Sequence, residues 1–170
     1  MDVADLVLQV RGYVGDYAKV NYSDFQIIDA LNSTVRLLAQ MCSSRKDPLF
    51  RKMIKITVDD GQFILPDNFI ALVRGYDSDG GELFVLSELA PVAEKEVLIH
   101  GNSGYSGEEE VTLVYDSIPD VIMDIDDSVE IPNIWSFPLS RAAGYFLSGN
   151  IDGASTVLNP FIGGIKPQSE

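Results

Sequence analysis

Asp77, Asp79 and Glu88 stand at positions 1, 3 and 12 of a calcium-loop register, a spacing that lets carboxylates of one loop surround a hard cation. The pattern then fails. Position 5 is Gly81, and Glu82 stands at position 6, where such a loop needs glycine for its sharp turn. The flanking residues have the composition of strands rather than helices, so a plain turn is the expectation. Asp124, Asp126 and Asp127 read in the same way as a solvated loop. His100 is the one histidine, lies beside Gly101, and has no serine or cysteine near it in a nucleophile setting. Cys42 is the one cysteine, which excludes an internal disulfide and a cysteine metal cluster. It falls on an apolar helical stripe, where a thiol is structural. No glycine loop follows a strand and opens a helix to cradle phosphate. Carboxylate pairs abound, but in a chain of net charge −14 their abundance says nothing. The expectation is a protein that is not an enzyme, with no catalytic residue, no metal and no cofactor.

The charge is unevenly placed. Residues 1–55 carry eight basic and six acidic side chains, and residues 56–170 carry four and twenty. Phosphate contacts need Lys and Arg, so nucleic-acid binding by the acidic part is not expected. The basic residues Arg45, Lys46, Arg51, Lys52 and Lys55 cluster where a helix should end and a strand begin. Two readings stand: a solvated helix end favoured by the macrodipole, or a subunit interface for the acidic flank of another copy.

These residues need elements to position them. The 170 residues, 46% of them hydrophobic and 22% charged, can bury an ordinary core. No apolar run approaches the roughly 18 residues of a membrane span. The opening Met-Asp-Val-Ala-Asp is acidic, unlike a secretory signal, and a reducing cytoplasm is the simplest setting. Val3, Leu6, Val7, Val10 and Val14 predict a helix over 3–15. Ser23 and Gln26 form a capping box ahead of a second helix over 24–43. Its stripe of Phe25, Ile28, Leu31, Val35, Leu38 and Cys42, widened by Ile27, Leu37 and Met41, predicts packing on two sides.

After Pro48 the period becomes alternating. Ile54, Ile56 and Val58, the turn Asp59-Asp60-Gly61, then Phe63 and Leu65 predict a β-hairpin with a glycine bulge. Strands are expected at 69–76, 82–86 and 111–115, a short helix capped by Ser87 running to about Leu98, and a mobile loop over 101–110. Residues 116–132 read as an extended, proline-bounded connector. A third helix is expected over 135–148, with Trp135 packed in the core. The final stretch mixes Gly153, Pro160, Gly163, Gly164 and Pro167 with Val157, Leu158, Phe161, Ile162 and Ile165. An apolar segment denied a regular helix covers a partner, which makes those five apolar side chains candidate partner-binding residues; the competing account packs the arm on its own bundle. The fold class is α+β: a small helical bundle of two N-terminal helices and one C-terminal helix (1–50 and 119–150), a β-rich insertion (51–118) and an extended C-terminal arm (151–170).

Two stretches resemble the head–tail connector (adaptor) proteins of tailed bacteriophages. Tyr22-Ser23-Asp24-Phe25-Gln26-Ile27-Ile28-Asp29-Ala30-Leu31-Asn32 is similar to the family's opening helix. The run from Leu113-Val114-Tyr115 through Ile118-Pro119, Asp126-Asp127 and Ile131-Pro132 into the helix around 139–147 is similar to its strand, acidic loop and final bundle helix. Phe63-Ile64-Leu65-Pro66-Asp67-Asn68-Phe69 resembles the step after its first hairpin. The region 87–110 departs from the family's pattern. The resemblance implies a structural virion protein at the head–tail junction, assembled in the host cytoplasm. It would form a ring, usually of twelve copies, between the portal protein and a downstream tail or nozzle protein, with DNA passing through its lumen without specific binding and no membrane involved. The rivals are an acidic host-protein-binding module or DNA mimic, neither of which needs an apolar arm, and another tail or neck subunit.

Overall fold

The computed structural model describes residues 1–87 and 92–163. The chain divides into two compact units, one of Met1–Leu49 with the described residues from Ile118 onward, the other of Phe50–Ser117. The α+β class is observed, with four α-helices and two sheets among the described residues.

The first unit is helical. Helix α1 (Val3–Val14) ends at Gly15, whose φ of 72° lets its N–H turn back onto the helix's last carbonyls. Helix α2 (Asp24–Ser44) starts at the expected capping box: the Gln26 N–H donates to Ser23 Oγ at 3.2 Å, and the Ser23 N–H donates to Gln26 Oε1 at 2.9 Å. Helices α3 (Ser136–Leu147) and α4 (Ile151–Leu158) complete the unit, with α3 packed on all three others. Leu6, Val10, Leu31, Leu38, Leu139 and Leu158 are fully buried, each contributing about 1.5–3 kcal/mol. Trp135 is in this core, its ring 5.9 Å from that of Phe161. Phe25, expected on the buried stripe of α2, is instead 76% exposed.

The extended arm is the main correction. Residues 151–158 are helical, and a 3-10 turn, Asn159–Phe161, follows. Asn150 caps α4 by accepting from the Gly153 N–H at 2.9 Å. Gly153, read as a helix breaker, is a packing residue, because a Cβ there would meet the Tyr145 ring at 2.6 Å. One interior glycine costs about 1 kcal/mol. Burial of Ala154, Leu158 and Ile162 outweighs that.

Among its described residues the second unit holds seven strands: β1 (Arg51–Thr57), β2 (Gln62–Ile64), β3 (Phe69–Tyr76), β4 (Phe84–Leu86), β5 (Glu96–His100), β6 (Ser103–Ser106) and β7 (Glu110–Ser117). They form an antiparallel sheet, β1-β7-β3, and a mixed sheet, β2-β6-β5-β4, in which β4 runs parallel to β5. Phe63, Leu65, Leu83, Val97, Val111, Leu113 and Tyr115 join in one core.

Three expectations fail here. The Ile54–Leu65 stretch, whose turn lies at residues 59–62, is not a hairpin ladder. Asp59 and Gln62 exchange backbone hydrogen bonds of 2.8 and 2.9 Å around Asp60 and Gly61, both at positive φ, but the strands then part into different sheets. Splitting them lets Phe63 point into the shared core and lie over Gly104, where any Cβ would overlap its ring. The helix expected from Ser87 to Leu98 is β5 at its far end, where Val97 and Leu98 are buried; residues 88–91 lie outside the described residues. The loop expected over 101–110 contains β6, paired with β5 across a tight turn at Gly101.

Candidate functional site

The connector between the β unit and α3 is held residue by residue. Asn32 of α2 donates to the Ile122 carbonyl at 2.9 Å and accepts from its N–H at 2.8 Å. A side-chain amide that satisfies both groups of one residue fixes that residue's orientation, and Ile122 is buried. The Asp127 carboxylate accepts from the N–H groups of Met123 and Asp124 at 2.7 and 2.9 Å. These bonds, the Asp124 N–H first, hold its pKa below the usual carboxylate range. The Val3 N–H donates to the Asp127 carbonyl, and Met1 and Val129 exchange backbone bonds. Alternation along this fixed strip turns Val121 and Met123 outward, 57% and 78% exposed, between exposed Asp120 and Asp124.

A second surface lies between α1 and α3. Leu8, Tyr13, Tyr17 and Phe137 remain 43–75% exposed around a groove of about 420 Å³ whose one charged wall is Arg141. The Arg141 guanidinium lies 5.9 Å from the Tyr13 ring centre, and the Tyr13 and Tyr145 rings are 5.8 Å apart at 54°. Hydrogen bonding to the Tyr13 and Tyr145 hydroxyls raises the Arg141 pKa, and hydrogen bonding with Tyr13 first, then with Arg141, lowers that of Tyr145. Glycines make the room: a Cβ on Gly144 would overlap the Tyr13 ring, and one on Gly12 would meet the Tyr17 hydroxyl at 2.7 Å.

Sequence reasoning missed a buried ion network at the turn from α1 to α2. Arg11 donates to Asp16 Oδ2 at 2.8 Å, to the Tyr22 carbonyl at 3.0 Å and to Asp24 Oδ1 at 2.6 Å. Asp16 also accepts the N–H groups of Val20, Asn21 and Tyr22. The Asn21 N–H leads in lowering the Asp16 pKa against the opposing effect of burial, with Tyr22, Val20 and the Arg11 charge adding to it. For Asp24 the Arg11 hydrogen bond leads. The signal was present, since Arg11 follows Val3 and Val7 at four-residue steps and so puts a charge on the apolar row.

The basic cluster expected as an interface is divided between the two units, Arg45 and Lys46 in one and Arg51, Lys52 and Lys55 in the other. Arg45 donates twice to Asn159, to its carbonyl and its side-chain oxygen. Arg51 pairs with Asp116 at 3.1 Å and Lys55 with Glu110 at 2.6 Å across the β1–β7 ladder. Arg45, Arg51 and Lys55 thus bond within the chain's own fold, and Lys46 and Lys52 are exposed at the surface. Among the five apolar residues expected to bind a partner, Leu158 and Ile162 are buried in the helical unit and Val157 and Phe161 are half-buried. Ile165 lies outside the described residues. Leu158 and Ile162 thus cover their own bundle, which corrects the docking-arm expectation at those two positions. Asp77 accepts from the Asp79 and Gly81 N–H groups within its own turn, and Glu88 lies outside the described residues.

The residues that carry the connector resemblance meet in the fold. Tyr115 stacks on Phe69 at 5.6 Å and donates to Asn68 Oδ1 at 3.4 Å. Asn32, the last residue of the first stretch, grips the connector inside the second. No protein-family model matches this chain, and neither does any curated protein.

Proposed function

We propose that this chain is a head–tail connector of a tailed bacteriophage, a structural subunit whose copies form a ring between the portal protein and the tail, with DNA passing through the lumen. One observation carries the reading: Asn32 joins the two resembling stretches by a paired hydrogen bond to Ile122. That bond ties the opening helix to the acidic connector leading into the final bundle helix, and a β-rich unit is inserted between them. Two stretches whose bonded residues lie 90 positions apart are explained together by one arrangement. The acidic-module alternatives rest on net charge alone.

The test is the mass of the purified chain, alone and mixed with portal rings of tailed phages. The expected result is a closed assembly of uniform copy number that co-sediments with at least one portal. A chain that ignores every portal would sink the connector reading.

A further inference from the structure

The helical unit carries two exposed surfaces with opposite character. The α1–α3 groove is apolar and aromatic, and its single charge is the Arg141 guanidinium; none of its lining residues is acidic. In a chain with 26 acidic residues, that is a distinctive patch. The connector strip at 120–124 presents two apolar side chains, Val121 and Met123, bracketed by the carboxylates of Asp120 and Asp124. Val121 borders a different face, a hollow formed with α2 residues Asn32, Arg36 and Leu37 and with Phe146. Asp29 and Arg36 place one charge of each sign beside it.

We propose that the α1–α3 groove receives the connector strip 120–124 of a second copy of this chain, with Val121 and Met123 seated among Leu8, Tyr17 and Phe137 and a flanking carboxylate paired with Arg141. Charge complementarity selects the occupant: the groove offers apolar walls around a cation, and the strip offers apolar teeth between anions. Preorganisation adds to it, because Asn32 and Asp127 hold the strip's backbone before any partner arrives. A groove on one face that accepts a strip from another face makes a head-to-tail contact, and such contacts repeat into a ring when the rotation closes. The inference rests on the ring reading above for closure and adds the surfaces that would build it.

Two single variants of the full chain test it, Leu8→Glu in the groove and Met123→Glu on the strip. Both positions are more than half exposed, so each variant should melt near the parent temperature. Each alone should lose at least tenfold in self-association by analytical ultracentrifugation. Mixed in equal amounts they should form a dimer and stop there, because each retains the one surface the other lacks. Variants that assemble like the parent, or a mixture that stays monomeric, would overturn the inference. So would a parent chain that does not self-associate. Portal co-sedimentation distinguishes the two readings: assemblies that bind a portal but ignore both substitutions leave the connector reading standing without these surfaces. A capped dimer in a protein that binds no portal does the reverse.

Discussion

Asp16 concentrates the chemistry of the helical unit in one side chain. Its carboxylate takes three backbone N–H groups and the Arg11 guanidinium while shielded from solvent. A carboxyl with a lowered folded-state pKa adds stability above its unfolded pKa, near 3.9, and that stability is lost as pH falls through the folded value. Asp24 and Asp127 are shifted in the same direction. The melting temperature, followed by the single buried Trp135, should therefore be flat from pH 7 to about 5 and fall steeply below about 4. Asp16→Asn should lower it at pH 7 and flatten the acid limb; an unchanged acid limb would remove Asp16 from the account. Little of this site was legible beforehand. Acidic residues are so common here that their type carries no signal; the Arg11 charge on the apolar row was readable, but which carboxylate answers it is set only by packing. The basic cluster shows the converse. Five neighbouring cations looked like a surface for a partner, but cross-strand register gives Arg51 and Lys55 to Asp116 and Glu110, residues more than fifty positions away.

At the scale of elements, periodicity succeeded where one stripe decides the structure and failed where long-range partners do. Helix α4 is the instructive failure, and it predicts its own test. Leu158 is fully buried, so Leu158→Ala should cost about 3 kcal/mol, transfer and cavity terms together, measured by urea titration with Trp135 fluorescence as the probe. A cost below about 1 kcal/mol would mean the helix contributes little and restore the docking-arm view. Gly144 tests the α1–α3 crossing. Alanine would gain about 1 kcal/mol of helix propensity, but its Cβ would displace the Tyr13 ring from Tyr145 and Arg141. Overpacking costs about 1–3 kcal/mol, so net destabilisation is expected, and a stabilised Gly144→Ala would show that Tyr13 yields freely. The helices expected over 3–15 and 24–43 are observed at Val3–Val14 and Asp24–Ser44 because wide apolar stripes and the Ser23 cap specify them locally. The strand expected at 69–76 is β3. The hairpin, the helix toward Leu98 and the loop over 101–110 failed together, for one reason. Short β elements are defined by their partners, and β6 is a strand between β2 and β5, its Gly104 leaving room for the Phe63 ring.

At the scale of the whole molecule, charge is the property that scales with assembly. A ring of twelve copies would carry about −170 in formal charge. DNA moving through such a ring meets phosphate-repelling walls unless cations gather on the lumen. Arg45, Arg51 and Lys55 already bond within their own chain, and Arg11 is buried in its ion network. Those four are engaged within the chain, and each phosphate contact a protein makes requires an available positive charge. The prediction is that the purified protein does not retard a duplex DNA probe, even at about 50 mM salt. Low salt is the demanding condition, because screening is weakest there and any basic stripe would show at its strongest. Retardation that disappears between about 50 and 200 mM salt would reveal a phosphate-binding face and contradict the repelling lumen. Lys52→Glu provides the internal control: it removes an exposed cation of the β unit. If DNA binding were real and centred there, the substitution would reduce the salt slope by about one phosphate contact; with no binding face, both proteins leave the probe unshifted at every salt concentration.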